Sequence, residues 1–330
     1  MYNDHFGLSA NPFQLTPDAR FWFESATHRK AMAYLGYGLA QGEGFIVVTG
    51  EIGAGKTTLI GHLLDSIDPA RVFAVRLAST QVGTGDLLRL IAHGFGIASE
   101  GLEKAQLLAR IESGLQDRAR NGQQSLVIVD EAQNLSLEAL EELRLLSNFQ
   151  GADRALLQIL LLGQPEFRAV FEAADLEHLR QRVIATHHLM PMDADEVGGY
   201  IAHRLKCVGW TGRPDFTDEA LAALHHESGG IPRKINNLAA RALMMGTVNK
   251  TDMIDGDMIA AVIADLKQDA FSNNINVSHT LLDQGAALDI AARMTMLEAQ
   301  VAEQDAALRR VLTLLIDWAE GDSDRPNLGA

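Results

Sequence analysis

The strongest constraint on this chain is a glycine-rich octapeptide that connects a predicted strand to a predicted helix. It fits the pattern G-x-x-x-x-G-K-[S/T]. The run Phe45–Thr49 before it is apolar and β-rich, and Thr58–Leu64 after it is predicted to be helical. This context predicts a loop whose backbone N–H groups surround the phosphates of a nucleoside triphosphate at the start of a helix. The residues predicted to bind the nucleotide here are Gly50, Glu51, Ile52, Gly53, Ala54, Gly55, Lys56, Thr57 and Thr58.

A second apolar run ends in two carboxylates. Leu126–Val129 is followed by Asp130 and Glu131, about seventy residues after the glycine-rich loop. In an open parallel sheet, ligands bind at the carboxyl ends of the strands, so both carboxylates are expected beside the phosphates. Lys56 is predicted to bridge the β- and γ-phosphates, and Thr57 and Asp130 to hold Mg²⁺. Glu131 is predicted to activate the attacking water as general base, which favours ATP hydrolysis over nucleotide binding alone.

Several polar residues further along the chain are candidates for the same chemistry. Gln164 ends a third apolar run and could position the water, or could simply cap a loop. Arg180 and Arg182 precede a predicted strand; either could reach the γ-phosphate of a neighbouring subunit, or form a surface salt bridge. Arg233 begins a helix after Gly-Gly-Ile-Pro and could couple a helical domain to the phosphates.

The order of predicted elements indicates an α/β fold with a parallel sheet flanked by helices. After Pro191 the strand patterns stop, and a small all-helical domain is predicted. Apolar residues from Ile290 to Trp318 then follow alternating steps of three and four, which favours a coiled-coil or partner-binding helix over one that packs on its own domain. The predicted divisions are an N-terminal segment 1–44, a nucleotide-binding core 45–191, a helical lid 192–267, a linker 268–286, the amphipathic helix 287–320 and a disordered tail 321–330.

The composition limits the location and the partners. The chain has one cysteine, Cys207, which is consistent with a reducing cytoplasm. No apolar run is long enough to span a bilayer, and no secretory signal is visible at the start. The net charge of −15 argues weakly against nucleic acid as the partner, because phosphate contacts depend on Lys and Arg.

Taken together and in this order, these motifs resemble those of the AAA+ ATPases. The resemblance implies a P-loop core with a helical lid, and it makes Gln164 the sensor-1 residue and Arg233 the sensor-2 residue. It also makes Arg182 the preferred arginine finger, with Arg180 as the alternative. Many members carry an Asn near the end of the second strand that restrains the catalytic Glu; Ser79 or Thr80 are the candidates here.

A closer resemblance is to the general secretion pathway protein A group. It rests on Asn11-Pro-Phe13, Asp130-Glu-Ala-Gln-Asn134 and Gly163-Gln-Pro-Glu-Phe167, and it covers roughly residues 1–267. Within that group the chain is most similar to ATPases that accompany exosortase (PEP-CTERM) and exopolysaccharide loci. The resemblance implies that the N-terminal segment lines the adenine pocket, with Pro12, Phe13 and His28 as candidates, unless they only pack against the core.

The leading expectation is an ATPase that works at subunit interfaces to drive assembly or regulation of an envelope polysaccharide or protein-sorting system. Its expected partners are ATP or ADP, copies of itself, and a protein reached through residues 287–320, which could hold it at the inner membrane. One alternative is a DNA-associated ATPase of the transposition-helper kind. Another is a nucleotide-gated scaffold with negligible turnover, against which Glu131 beside Asp130 argues.

Overall fold

The computed structural model describes residues 2–16, 18–77, 83–151, 154–172 and 176–268. The chain divides into a first unit, Met1–Ile263, and a second that starts at Ala264. The sheet and the candidate site lie in the first unit. Among the described residues, no helix is both long and apolar enough to cross a bilayer.

The centre of the first unit is a parallel sheet. In the described chain it has five strands in the order β2-β3-β4-β1-β5, and every pairing is parallel. This confirms the predicted fold class. The strands are β1 Phe45–Gly50, β2 Val72–Leu77, β3 Gln124–Val129, β4 Leu157–Gly163 and β5 Val183–Leu189.

Helices cover both faces of this sheet. Successive strand residues point to opposite faces, so the apolar run in β1 is shared between two clusters. Phe45 and Val47 belong to the cluster that includes α4 to α8, whereas Ile46 and Val48 belong to the cluster with α2 and α3. The apolar run in β1 is uninterrupted because a central strand buried on both faces needs apolar side chains at successive positions. The helices of the core are α2 Ala26–Gln41, α3 Lys56–Ser66, α4 Thr84–Gly94, α5 Lys104–Arg120, α6 Leu137–Ser147, α7 Pro165–Glu172 and α8 Glu177–Arg180.

The region after β5 is largely helical, as predicted, but it also contains strand pairing. Two-residue strands, β6 Asp215–Phe216 and β7 Met253–Ile254, pair in parallel. The prediction of an all-helical lid is wrong in this detail, because two residues are too short to show an alternating pattern. The helices are α9 Ala194–Lys206, α10 Asp218–Ser228, α11 Pro232–Asn249 and α12, which occupies 256–268 of the described chain.

The N-terminal segment is attached to this helical region. It contains the short helix α1 Tyr2–Phe6 and a 3-10 turn at Ala19–Phe21. Both Ser9 N and Ser9 Oγ donate to the carbonyl of Val208, just after α9. The backbone N–H of Ala26 donates to Glu196 of α9 at 2.7 Å. The segment therefore links the start of α2 to the helical region.

Some sequence-based predictions fall outside the described residues. They are Ser79 and Thr80, residues 269–286 of the linker, the amphipathic helix 287–320 and the tail 321–330.

Candidate nucleotide-binding site

The glycine-rich loop connects β1 to α3, as its sequence predicts. Gly53 and Gly55 adopt φ values of 86° and 98°, the left-handed region that glycine enters without strain. Gly55 is the N-cap of α3, which begins at Lys56. The loop thus presents backbone N–H groups and the positive end of a helix dipole to one place, an arrangement suited to phosphate.

Lys56 is buried beneath this loop. Only 6% of the residue is exposed, and its Nζ donates to the carbonyls of Gly50 at 2.5 Å and Glu51 at 3.0 Å. Burial lowers the pKa of Lys56, while the carboxylates of Glu131 and Asp130 oppose that shift. The ammonium group therefore lies among acceptors at the base of the loop.

Thr57 and Asp130 provide a pair of oxygen ligands. The Thr57 hydroxyl donates to Oδ2 of Asp130 at 3.5 Å, and Asp130 is 5% exposed at the end of β3. A magnesium ion prefers oxygen ligands and keeps several waters, so a hydroxyl and a carboxylate that face each other at the start of α3 fit it. The same Oδ2 accepts from Arg76 of β2 at 2.8 Å, a contact that the sequence did not indicate.

Glu131 is held by two amides. The side-chain amides of Gln133 and Gln164 both donate to its Oε2, at 2.5 Å and 3.1 Å. Gln133 also accepts from the backbone N–H of Gln164 at 3.0 Å, which joins the ends of β3 and β4. Hydrogen bonding by Gln133 is the largest influence on the pKa of Glu131 and lowers it, burial opposes the shift, and Gln164 and Lys56 add to the lowering. The carboxylate is therefore kept ionised and oriented.

Arg233 lies directly against the glycine-rich loop. Its backbone N–H donates to the carbonyl of Gly53 at 3.2 Å. A Cβ added to Gly53 would meet Cβ of Arg233 at 2.4 Å, so only glycine allows the first turn of α11 to approach this closely. The helical region therefore contacts the phosphate loop through Arg233.

A cavity of about 280 Å³ opens between the loop, the N-terminal segment and the helical region. Its lining includes the exposed apolar side chains of Leu15 and Ile52. The residues that line it are Gln14, Leu15, Thr16, Asp18, Phe21, Ile52, Gly53, Gly55, Lys56, Thr57, Thr58, Glu131, Tyr200, Arg204, Pro232, Arg233 and Asn236.

The N-terminal segment lines this cavity slightly later in the chain than expected. Pro12 and Phe13 are buried and are not among the lining residues, which begin at Gln14. A local turn explains why the lining begins at Gln14 and not at Pro12. The side chain of Asn11 makes this turn by accepting from the backbone N–H of Phe13 at 2.8 Å. Phe13 then points into the interior at 2% exposure, and the following residues face the cavity.

His28 supports the glycine-rich loop from below. It is 6% exposed, its Nδ1 pairs with Ser25 Oγ at 2.7 Å, and its Nε2 would lie 2.8 Å from a Cβ on Gly55. Burial lowers the pKa of His28 to about 4, with a smaller contribution from His187. The structure thus places His28 against Gly55 of the glycine-rich loop and not with the cavity-lining residues.

Arg180 and Arg182 do not join this constellation. The carbonyl of Arg182 accepts from the backbone N–H of Phe45, the first residue of β1, whereas the loop follows the last. At about 3.3 Å per residue the length of the strand separates them. Arg180 donates to the carbonyl of Phe171 and lines a different cavity with Thr49 and His188. Neither arginine is among the residues that line the cavity beside the phosphate loop of its own chain.

Sequence reasoning missed three parts of the site. Arg76 lies in a strand that reads as ordinary, and Gln133 lies inside the Asp-Glu-Ala-Gln-Asn motif without having been given a role. The third part is a group of polar residues in the helical region, Tyr200, Arg204 and Asn236, which line the cavity. For Gln133, the spacing of two residues from Glu131 was the available signal.

Comparison with known proteins agrees with this geometry. Residues 39–171 match the family model described as "AAA domain". The chain is also similar to General secretion pathway protein A of Aeromonas hydrophila, with 39% identity over 245 residues, or 74% of this chain. The chain spans 44% of the length of that relative.

Solved structures share the fold of this chain at low sequence identity. Cdc6p from Pyrobaculum aerophilum has a TM-score of 0.58 at 18% identity, covering 74% of this chain and 67% of that chain. The ORC2 protein from Aeropyrum pernix, in its ADPNP–ADP complexes, has a TM-score of 0.55 at 15% identity, covering 78% of this chain and 71% of that chain.

Proposed function

We propose that this protein is a Mg²⁺-dependent AAA+ ATPase that hydrolyses ATP at the interface between its own subunits. The observation that carries the proposal is the convergence of four groups from separate elements. Lys56 and Thr57 begin α3, Asp130 and Glu131 follow β3, and hydrogen bonds or burial fix each of them. This set supplies what phosphoryl transfer to water requires: a phosphate cradle, a cation site and an oriented base.

The residues of the site have separate roles in this proposal. The backbone N–H groups of the loop and the ammonium of Lys56 bind the phosphates. Thr57 and Asp130 hold Mg²⁺, which when bound neutralises charge on the phosphate oxygens. Glu131 accepts a proton from the attacking water, and the two amides on its Oε2 fix the carboxylate for that step.

The nucleoside part of ATP occupies the portion of the cavity lined by the N-terminal segment. Leu15 and Ile52 expose apolar side chains there, at 59% and 58% exposure, and apolar side chains that line one cavity are typical of a ligand pocket. A purine base would cover this surface. Arg233 then reports the state of the phosphates to the helical lid, since it contacts the loop directly.

Arg182, or Arg180 in its place, acts on the ATP of a neighbouring subunit. Neither lines the cavity beside the phosphate loop of its own chain, which is compatible with a role in trans. A cation supplied by the next subunit stabilises charge in the transition state and makes hydrolysis depend on oligomer formation.

The cellular role that we propose is assembly or regulation of an envelope system for secretion, protein sorting or exopolysaccharide export. The relation to General secretion pathway protein A supports a secretion role. In this proposal residues 287–320 contact a protein partner at the inner membrane, and the core 45–191 and lid 192–267 act as the nucleotide-driven switch.

The first experiment measures ATP binding and phosphate release by the wild-type protein and by Lys56→Ala. We expect the variant to lose both, because the ammonium that contacts the phosphates is gone. Lys206→Ala, an exposed lysine on α9, should retain both. Wild-type protein that binds ATP but releases no phosphate would favour a nucleotide-gated scaffold.

A second experiment tests the arrangement in trans. Lys56→Ala subunits have a defective loop but an intact Arg182, and Arg182→Ala subunits have the reverse. Mixing the two should restore activity at those interfaces where an intact loop meets an intact arginine. If the mixture stays as inactive as its components while Arg182→Ala alone is inactive, then Arg182 does not act across an interface. The same mixture with Arg180→Ala decides between the two arginines.

Duplex DNA is added in a parallel assay. The chain carries a net charge of −15, so we expect no stimulation of phosphate release by DNA. Strong stimulation would favour the DNA-associated alternative.

A further inference from the structure

Arg204 is a buried cation that the ATPase mechanism above does not use. It lies on α9 of the helical region and is 7% exposed. Burial of a charged group is costly unless its hydrogen bonds are satisfied, so the position indicates a specific structural purpose. Arg204 also lines the cavity beside the phosphate loop.

The guanidinium of Arg204 donates hydrogen bonds to three neutral oxygens, two of them backbone carbonyls and one a hydroxyl. Its Nε donates to the carbonyl of Pro12 at 2.6 Å and Nη2 donates to the carbonyl of Gln14 at 3.2 Å. Its Nη1 donates to the Tyr200 hydroxyl at 3.2 Å. The guanidinium carbon also lies 4.5 Å from the centre of the Phe21 ring. Three separate donors are therefore used at once.

The two carbonyls belong to the stretch that shapes the cavity wall, which we call the strap (residues 12–16). Gln14, Leu15 and Thr16 of the strap line the cavity. A loop of this kind has no regular backbone partners, so side chains must fix its path. Arg204 supplies two such bonds from the helical region, and Asp18 accepts a third from the Gln14 side chain at 3.2 Å.

On its other side Arg204 is connected to the helix that carries Arg233. The Tyr200 hydroxyl accepts from Arg204 and donates to Oδ1 of Asn236 at 2.7 Å. Asn236 lies three residues after Arg233 on α11, so the two are neighbours along one side of the helix. Tyr200 and Asn236 also line the cavity.

We propose that Arg204 is the positioning residue through which this site recognises the base of a nucleoside triphosphate and links its presence to the helix carrying Arg233. The strap contacts the base, Arg204 holds the strap, and Tyr200 and Asn236 connect Arg204 to α11. The proposal rests on the proposed ATPase function, since it concerns the same site. It differs from a contribution to phosphate binding, because none of these groups belongs to the phosphate loop.

The geometry requires arginine. A planar guanidinium donates in several fixed directions, whereas the ammonium of lysine is a single point charge on a flexible stem. Lysine at position 204 keeps the charge and most of the length but cannot reach Pro12, Gln14 and Tyr200 together. The Arg204→Lys substitution therefore loosens the strap without removing a cation.

The test compares binding of ATP and of inorganic tripolyphosphate, each with Mg²⁺, by isothermal titration calorimetry. Tripolyphosphate has the charges but no base, so the ratio of the two dissociation constants measures base recognition. We expect the wild-type protein to prefer ATP. In Arg204→Lys the affinity for ATP should fall about 10-fold or more, the size expected for a lost hydrogen bond to a charged group. Its affinity for tripolyphosphate should stay within about 2-fold, because phosphate affinity comes from the loop.

Arg213→Lys is the matched control, since Arg213 is an exposed arginine of the same region that pairs with Asp252; it should keep the wild-type ratio. Tyr200→Phe removes only the hydroxyl that joins Arg204 to Asn236. It therefore tests this hydrogen-bonded connection even if Arg204→Lys does not fold. It should lose about 3- to 10-fold in ATP affinity alone.

The outcomes separate the two proposals. Wild-type protein that binds neither ligand would overturn the ATPase proposal together with this one. Wild-type protein that binds both ligands equally would show that no base is recognised and would overturn only the role of Arg204. Retention of the wild-type preference in the folded Arg204 and Tyr200 variants would do the same.

Discussion

His28 should make the stability of this protein depend on pH in a defined window. Its pKa is lowered from 6.5 to about 4, mainly by burial and secondarily by His187. Between these values the unfolded chain binds a proton that the folded chain excludes, so stability rises with pH across this interval. The contribution of neutral His28 to the free energy of unfolding is complete well above pH 6.5, and it is lost progressively as the pH falls toward 4.

The magnitude follows from the size of the shift. One pKa unit corresponds to about 1.4 kcal/mol, so the full shift of His28 is worth about 3 kcal/mol. Between pH 7 and pH 5 the linkage relation gives a loss of about 2 kcal/mol in the free energy of unfolding. This is a large part of the stability of an ordinary domain.

Urea unfolding at several pH values between 7 and 5 measures the effect in wild type and in His28→Gln. The variant loses the ring that packs on Trp22, so it should be less stable at pH 7. Its stability should nevertheless fall by about 2 kcal/mol less than that of wild type on acidification, because no imidazole at position 28 takes up a proton. His226→Gln, which changes an exposed histidine on α10, controls for the loss of an imidazole. Parallel pH profiles for wild type and His28→Gln would refute the reasoning.

Two further predictions concern Gly53 of the phosphate loop and Gln133, which contacts the proposed general base Glu131. Gly53→Ala places a Cβ 2.4 Å from Cβ of Arg233 at a positive φ, so it should cost about 1–3 kcal/mol in stability and at least about 10-fold in nucleotide affinity, measured by chemical unfolding and calorimetry. Gly36→Ala, on α2 with open space around it, should be neutral or stabilising by up to about 1 kcal/mol, and an equal loss in both variants would contradict the argument. Gln133→Ala removes the stronger of the amide contacts to Glu131, so kcat should fall about 10-fold with little change in KM. Steady-state phosphate release decides this, and a change confined to KM would assign Gln133 to substrate binding instead.

Local patterns were sufficient to predict the parallel sheet and the phosphate loop. The predicted run Phe45–Thr49 matches β1 to one residue, and the apolar run Leu126–Val129 lies within β3. These strands are buried on both faces or follow turn signals, so their apolar content appears directly in sequence. The positions of Lys56, Thr57 and Asp130 then follow from the rule that strand ends carry the ligands.

Contacts between distant parts of the chain were beyond that reasoning. The Arg76–Asp130 pair joins residues 54 apart, and the bond from Arg204 to Pro12 joins residues 192 apart. A single sequence contains no signal of such contacts, because neither partner stands out from the other residues of its own segment. The family resemblance assigns the N-terminal segment to the adenine pocket, with Pro12 and Phe13 as candidates, but the turn at Asn11 decides which of its side chains face the cavity.

The most direct test of the central claim measures ATP binding and phosphate release on the same preparations of wild type and Glu131→Gln. The account predicts that the variant binds ATP within about 2-fold of wild type and releases phosphate at least about 100-fold more slowly, because the amide cannot accept the proton from water. Glu138→Gln, an exposed glutamate on α6, should match wild type in both measurements. Phosphate release by Glu131→Gln at the wild-type rate would contradict the assignment of Glu131 as the general base.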